Sequence, residues 1–310
     1  MANIEAFGAY LPARAVSNAE LARWLGCEAD WILQASGIAE RRYAAEDEDV
    51  VDLAARAAEA CLARAGRRAA DVGCLIVASA TGRRRIPGPA ALVAVRLGIG
   101  EAPALDVPAA SAGGLIAMAL GNLLAPAYGM VLIVAAEKMS TLVRREPPDR
   151  NVAILFGDGA GACLLQAEGG RARIVDHVLH SDGAFADSLA VGADGALAMD
   201  GRTVILQASR KLPRTITEVL DRNSVPAADV SAFLLHQANQ NLLDGVARAL
   251  QVPAGRLFSN VRAYGNTSSA SLLIAAAEWE EREGFRSGAP VVFAAFGAGF
   301  HWGALLAVGI

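Results

Sequence analysis

The sequence predicts an α/β protein built from two similar halves. Three observations carry that reading. Uninterrupted apolar runs such as Cys74-Leu75-Ile76-Val77 and Val131-Leu132-Ile133-Val134 alternate with segments of helical character, as in sheets covered on both faces. Similar runs recur later in the chain at a nearly constant offset. No low-complexity linker divides the 310 residues.

The first half reads in order as a helix over 51–65, a strand over 74–77, a turn after Leu105-Asp106-Val107 and a helix over about 112–125. A break at Pro126 to Gly129 follows, then a strand over 130–136 and the Gly-rich segment Phe156-Gly157-Asp158-Gly159. The second half repeats parts of this. Ala69-Ala70-Asp71-Val72 before the first strand matches Ala227-Ala228-Asp229-Val230 before Ala232-Phe233-Leu234-Leu235, an offset of 158. Val131-Leu132-Ile133 matches Val291-Val292-Phe293, an offset of 160. Phe156 to Gly159 matches Phe296-Gly297-Ala298-Gly299 at the shorter offset of 140, which fits an insertion around 138–151. The expected organisation is an N-terminal half over 1–168 and a C-terminal half over 169–310, inseparable, with a shared cleft where the chemistry lies.

Composition excludes several classes. Hydrophobic residues make up 54% and charged residues 19%, so the chain buries a large core and is not disordered. A net charge of −4 speaks against a nucleic-acid binder that relies on a basic surface. Only Lys138 and Lys211 are lysines; the arginine triplet Arg83, Arg84 and Arg85 could flank an entrance used by anionic ligands. The first residues, with Glu5 and no basic cluster, do not read as a signal peptide. From 107 to 136 run 30 residues without a charge, longer than a membrane span needs. The glycines, Asn122 and Pro126 within it favour a buried interior segment instead. Cys27, Cys61, Cys74 and Cys163 form no CxxC and no metal spacing with the histidines, so a reduced, cytoplasmic protein without disulfides, metal or membrane association is expected.

Three segments could carry chemistry. Ser111 follows a strand and a sharp turn at the start of a helix. It is either the helix N-cap or a nucleophile above the positive end of the helix dipole. It is not a GxSxG elbow, because Ala109 stands at the first glycine. His236 heads His236-Gln237-Ala238-Asn239, polar residues at the end of an apolar strand. Asn266 lies in the loop Tyr264 to Ser269, which feeds a helix over 270–280. Gly157-Asp158-Gly159-Ala160-Gly161 sits between apolar strand-like runs at 152–156 and 162–166, so a dinucleotide-binding reading fails. The backbone of Phe296 to Phe300 could offer anion donors.

Together, Ser17-Asn18-Ala19-Glu20-Leu21, Asp30-Trp31-Ile32, Glu40-Arg41-Arg42, Asp106 to Gly113, Phe156 to Ala162, His180-Ser181-Asp182-Gly183, His236 to Asn239, Gly265 to Ser268 and Phe296 to Gly303 resemble the β-ketoacyl carrier-protein synthases III of the thiolase superfamily. The resemblance covers nearly the whole chain. It implies a thiolase-like duplicated α/β fold, layered α-β-α-β-α with two mixed five-stranded sheets. It implies that Ser111 stands where the family carries an acylated cysteine, and that His236 and Asn266 polarise a malonyl thioester. Backbone N–H groups of Ser111 and Ala298 would form the oxyanion hole. Trp31, Arg150 and Asn239 would contact coenzyme A or its pantetheine arm, and Ile86 would line the acyl pocket of a partner subunit in a homodimer. No cofactor is implied beyond a coenzyme A or phosphopantetheine thioester as substrate, delivered as acyl-CoA or on acyl carrier protein.

The departures shape the functional expectation. A serine hydroxyl is too weak an acid to be ionised by a helix N-terminus and needs a general base, for which His236 is the candidate. Asn241, Ile205-Leu206 and Ala35 replace an Arg, a Phe-Lys pair and an Arg of the family's docking positions. The expectation is an acyltransferase or chain-initiating enzyme of specialised metabolism, such as a polyketide pathway, passing an acyl group through Ser111 to an acceptor. The alternatives are decarboxylative Claisen condensation to a β-ketoacyl product, and a non-catalytic subunit of a heterodimeric ketosynthase.

Overall fold

The apolar runs become strands. In chain order these are β1 (Asn3–Tyr10), β2 (Arg14–Ser17), β3 (Glu40–Tyr43), β4 (Cys74–Ala78), β5 (Ala104–Val107), β6 (Val131–Lys138), β7 (Asp158–Gln166), β8 (Ala172–Ser181), β9 (Leu189–Val191), β10 (Leu197–Met199), β11 (Ala232–Leu235), β12 (Leu257–Phe258), β13 (Pro290–Gly297) and β14 (His301–Gly309). The computed structural model describes residues 1–84, 86–143, 148–192 and 195–310. Arg85 of the arginine triplet and part of the expected 138–151 insertion lie outside the described residues.

Among the described residues, one sheet runs in the order β12-β11-β13-β14-β8-β1-β7-β6-β4-β5. It consists of two mixed five-stranded sheets, since β1 and β8 share only the pairs Asn3↔Arg173 and Ile4↔Ala172. Within one, β4 runs parallel to β5 and β6, and β6, β7 and β1 follow antiparallel. Within the other, β11 runs parallel to β12 and β13, and β13, β14 and β8 follow antiparallel. The two orders are identical, which is what the repeat predicts.

Side-chain alternation explains why the strands are apolar throughout. In β6, Val131, Ile133 and Ala135 face a central core, whereas Leu132, Val134 and Ala136 face an outer one. In β13, Val291, Phe293 and Ala295 face the same central core, whereas Val292, Ala294 and Phe296 face a second outer one. Residues of the helices Gly113–Tyr128 and Ser271–Arg282 fill the centre. The helices Val50–Ala65 and Pro89–Leu97 cover one outer face, and Gly201–Arg222 and Gln240–Ala249 the other. Five layers result, and strands with two covered faces carry no polar alternation.

The structure corrects several local expectations. Pro126 does not break the chain; the helix continues to Tyr128 and ends at Gly129 (φ 73°). The proline falls in the last turn, where only one backbone bond is lost. The run 152–156 is not a strand but the end of the short helix Arg150–Ala153 and a turn. The third repeat match is not an equivalence of position, because Phe156-Gly157 precedes β7 whereas Phe296-Gly297 ends β13. The charge-free stretch is mostly enclosed, yet Leu123 on its helix is 63% exposed. No helix among the described residues is long and apolar enough to cross a membrane. The four cysteines are free thiols.

Candidate active site

Ser111 follows the edge strand β5 and the loop 108–110, and it adopts φ +62°. Left-handed backbone is uncommon for a residue with a Cβ, costs on the order of 1 kcal/mol, and clusters at functional sites. The helix begins at Gly113 with Ala112 as its N-cap and no side-chain cap bond. The capping reading of Ser111 is therefore incorrect: the backbone turns one residue too early for its hydroxyl to serve the helix. Its side chain is instead presented at the end of two cavities. The turn after β13 presses against it. A Cβ at Gly297 would lie 3.0 Å from Ser111 Cβ and 2.6 Å from Ala112 N, and would collide with the Ala110 carbonyl. Only glycine permits that approach.

The Ser111 N–H donates to Ser268 Oγ at 3.0 Å. An acyl oxygen using this N–H as an oxyanion donor must displace the Ser268 hydroxyl or share the proton with it. Ala298 lies between the two glycines of the same turn and lines the cavity at Ser111.

His236 directly follows β11, extending its ladder through a bond from its N–H to the Ala294 carbonyl. Its Nδ1 is 2.5 Å from Ser271 Oγ, which also accepts the Gln237 N–H at 3.0 Å. The arrangement in which Ser271 both accepts from Gln237 and donates to Nδ1 places the ring proton on Nε2. Burial lowers the imidazole pKa to about 4, with a hydrogen bond to the Ser268 backbone pulling the other way. His236 is neutral at pH 7.

Asn266 is set by Gly265 (φ +67°) and by two backbone bonds with the segment at Phe156, Asn266 N–H to Leu155 O and Gly157 N–H to Asn266 O. Its Oδ1 accepts the Ser268 N–H at 2.8 Å. This leaves its amide NH2 without a protein partner among the described residues.

The larger cavity has a volume of about 550 Å³ and is lined by Ser111, Ala298, Phe156, Leu189, Asp106 and His301, among others. The second is a narrow passage of about 70 Å³ lined by Ser111, His236, Asn266, Asn239 and the helix residues Val204 and Ile205. Ser111, Phe156 and Leu189 belong to both. The structure thus brings Ser111, His236 and Asn266, more than 100 residues apart in part, onto one passage.

The other expected residues fall elsewhere. Trp31 and Arg150 share a surface recess of about 590 Å³ with Cys27, Asp149 and Asn151. Asn239 is separate from them; it lines the passage and caps the helix Gln240–Ala249, accepting the Leu242 N–H at 2.9 Å. Ile86 lines neither cavity and is 92% exposed. Among the described residues no group of three or more His, Cys, Asp or Glu could hold a metal ion.

Comparison with known proteins resolves what this arrangement belongs to. The sequence profile of 3-oxoacyl-[acyl-carrier-protein (ACP)] synthase III matches residues 105–183, and that of its C-terminal region matches residues 220–308. The β-ketoacyl-[acyl-carrier-protein] synthase III of Oleidesulfovibrio alaskensis is 35% identical over 320 aligned positions, covering 97% of this chain and 96% of that protein. The chain belongs to the synthase III family. It is thereby an acyltransferase with the thiolase-like fold. The crystal structure of 3-oxoacyl-[acyl-carrier-protein] synthase III from Aquifex aeolicus superimposes with a TM-score of 0.95 at 31% identity, covering 99% of this chain and all of that one. The priming β-ketosynthase of the R1128 polyketide pathway does so at 0.92 and 29% identity, covering 99% of this chain and 96% of that one.

Within this synthase III chain, sequence reasoning missed the groups that hold the site. Ser268 and Ser271 read only as loop composition, although the cluster Thr267-Ser268-Ser269-Ala270-Ser271 is dense in hydroxyls. Glu137, at the end of β6 and fully buried, accepts from Thr81 Oγ1 at 2.6 Å, Ala80 N at 3.1 Å and Ser269 Oγ at 2.7 Å. Burial raises its pKa against those bonds. It ties the loop at 79–81 to the turn that carries Ser268. Asp158, read as part of a Gly-rich turn, likewise accepts from Ser140 N and Oγ and from Ala44 N.

Proposed function

We propose that this chain makes a β-ketoacyl thioester by decarboxylative condensation, with Ser111 as the residue that carries the acyl group. The observation that supports it most is the shared passage: neutral His236 and the free amide of Asn266 open onto the same narrow channel that ends on Ser111. In the first half-reaction Ser111 Oγ attacks the carbonyl carbon of an acyl thioester. The C–S bond breaks, and the serine proton passes to the departing sulfur to give the free thiol, since His236, protonated on Nε2 and engaged by Ser271 at Nδ1, has no free nitrogen to accept it. In the second, a malonyl thioester in the passage loses its carboxylate as CO2. Its thioester carbonyl is held by His236 Nε2–H and Asn266 NH2, which stabilise the charge that develops on it. The carbanion attacks the acyl carbonyl, the C–O bond to Ser111 breaks, and the serine oxygen takes up a proton from solvent water.

The names of the relatives favour condensation over transfer to a heteroatom, the reading first drawn from the serine. We assign Trp31 and Arg150 to the outer end of the acyl-CoA or carrier-protein donor, because they share a recess. Asn239 goes to the pantetheine passage, because it lines it. Ile86 is assigned to the cavity of a second subunit in a homodimer, which accounts for its exposure here.

One experiment tests the proposal. The protein is incubated with acyl-CoA and then with malonyl carrier protein, while intact mass, CO2 and product are followed. An adduct mapped to Ser111 that disappears with stoichiometric CO2 and a β-keto product is expected. No adduct on Ser111 overturns it. An adduct that persists with malonyl carrier protein yet is discharged by an added thiol, amine or alcohol selects the transfer reading, which the poorer leaving ability of an alkoxide favours.

A further inference from the structure

The larger cavity at Ser111 has a mainly apolar wall, including Met139, Phe156 and Leu189, interrupted by the polar side chains of Arg84, Asp106 and His301. His301 opens β14 and pairs with Gly297 across the hairpin. Residues directly opposed on antiparallel strands project to the same face. On that face the Cβ position of Gly297 lies 3.0 Å from Ser111 Cβ. The imidazole therefore rises on the Ser111 side of the hairpin, as its place in the cavity wall confirms.

Its orientation is held by two contacts. Nδ1 lies 2.7 Å from Ser181 Oγ. The ring also packs against Gly299, where a Cβ would sit 2.5 Å from Nε2 and 3.0 Å from Cγ. Nδ1 is thus engaged by protein, and among the described residues no side chain pairs with Nε2. A ring fixed in this way offers one nitrogen to whatever fills the cavity. An alkyl chain there leaves that nitrogen unpaired, whereas an oxygen on the chain pairs with it.

We infer that His301 selects the acyl group: the cavity receives a short acyl chain bearing a hydrogen-bonding oxygen, as in a 3-hydroxyacyl thioester, and Nε2 of His301 contacts that oxygen. This deepens, and rests on, the reading of Ser111 as the acyl-bearing residue. His301 takes no part in the half-reactions above.

The test compares 3-hydroxybutyryl-CoA with butyryl-CoA in single-turnover acylation, followed by intact mass and mapping to Ser111. The hydroxylated thioester is expected to react about tenfold faster, the factor that corresponds to the net contribution of one hydrogen bond, roughly 1.4 kcal/mol. In His301→Phe the ratio falls to near one. In His301→Gln, which keeps a hydrogen-bonding group, it lies between. Each ratio is taken within one preparation, so loss of folded protein scales both rates alike, and the His301→Gln ratio decides the matter if His301→Phe does not fold. Equal rates or a butyryl preference in the unmodified protein, or a ratio indifferent to His301, overturn this inference alone. No Ser111 adduct from either thioester overturns the acyl-enzyme reading, and this inference with it.

Discussion

Ser271 Oγ stands 2.5 Å from His236 Nδ1 and belongs to the first turn of the helix Ser271–Arg282. The imidazole is therefore oriented by the C-terminal half's central helix and not by its own strand. Ser271→Ala removes that support and leaves Nδ1 buried without a partner. We expect kcat for condensation to fall about tenfold or more with little change in KM, the pattern of a misoriented hydrogen-bond donor. Ser271→Thr, which restores the hydroxyl, should recover part of the loss. Steady-state kinetics that show a KM effect alone would contradict this role.

Ser111 is held at φ +62° although it has a Cβ. Ser111→Gly relieves that strain, and is expected to raise stability by about 0.5–1 kcal/mol even after the extra freedom of glycine in the unfolded chain is counted. It also abolishes the acyl adduct. A thermal melt lower than that of the unmodified protein would show that the hydroxyl contributes more to the fold than the backbone costs.

Gly297→Ala forces a methyl group into the Ala110 carbonyl and to within 3.0 Å of Ser111 Cβ. Backbone atoms cannot rotate away as a flexible side chain can. The expected cost is about 1–3 kcal/mol, with acylation lost more completely than stability because Ser111, the proposed nucleophile, is displaced. Denaturant unfolding and adduct formation, measured on one preparation, check both parts.

His236 binds its proton only near pH 4 in the folded state, against about 6.5 in an unfolded chain. Because the folded value is the lower one, protonation favours unfolding. Above pH 6.5 the group has no effect; stability is lost as pH falls from 6.5 to 4 and is constant below. The span corresponds to about 3 kcal/mol, of which about 2 kcal/mol is lost by pH 5. Glu137 and Asp158 act in the opposite sense, since burial raises both and the folded state prefers their protonated forms. His236→Gln should shrink the difference in melting temperature between pH 7 and pH 5. An unchanged difference would remove His236 as its source.

Much of this was visible in the one-dimensional pattern. The repeats at offsets of 158 and 160 mark β4 with β11 and β6 with β13, adjacent interior strands of the two sheets. Ser111 and His236 stood out because each is polar beyond an apolar strand-like run, whereas Asn266 lies in ordinary loop composition and was singled out by the family resemblance. Asn239 and Ile86 were harder. The first serves as a helix cap as well as lining the passage, and the second touches nothing of its own chain's cavities. Ser268, Ser271, Glu137 and His301 gave little signal, because hydroxyls in a loop, a carboxylate at a strand end and a histidine beside a tryptophan are all ordinary locally.

By itself the sequence determined the class of fold, the duplication and the residue types at the site, since these follow from the period of apolar positions and from polar residues that interrupt it. Tertiary structure decided the rest. The left-handed backbone at Ser111, the Ser268 hydroxyl on its N–H, the Ser271 hydroxyl on His236 and the place of His301 in the cavity wall all depend on segments up to 190 positions apart in the chain meeting at one point. Periodicity reports which face of an element is buried. It does not report which element lies against that face, and the chemistry of this site is made at those contacts.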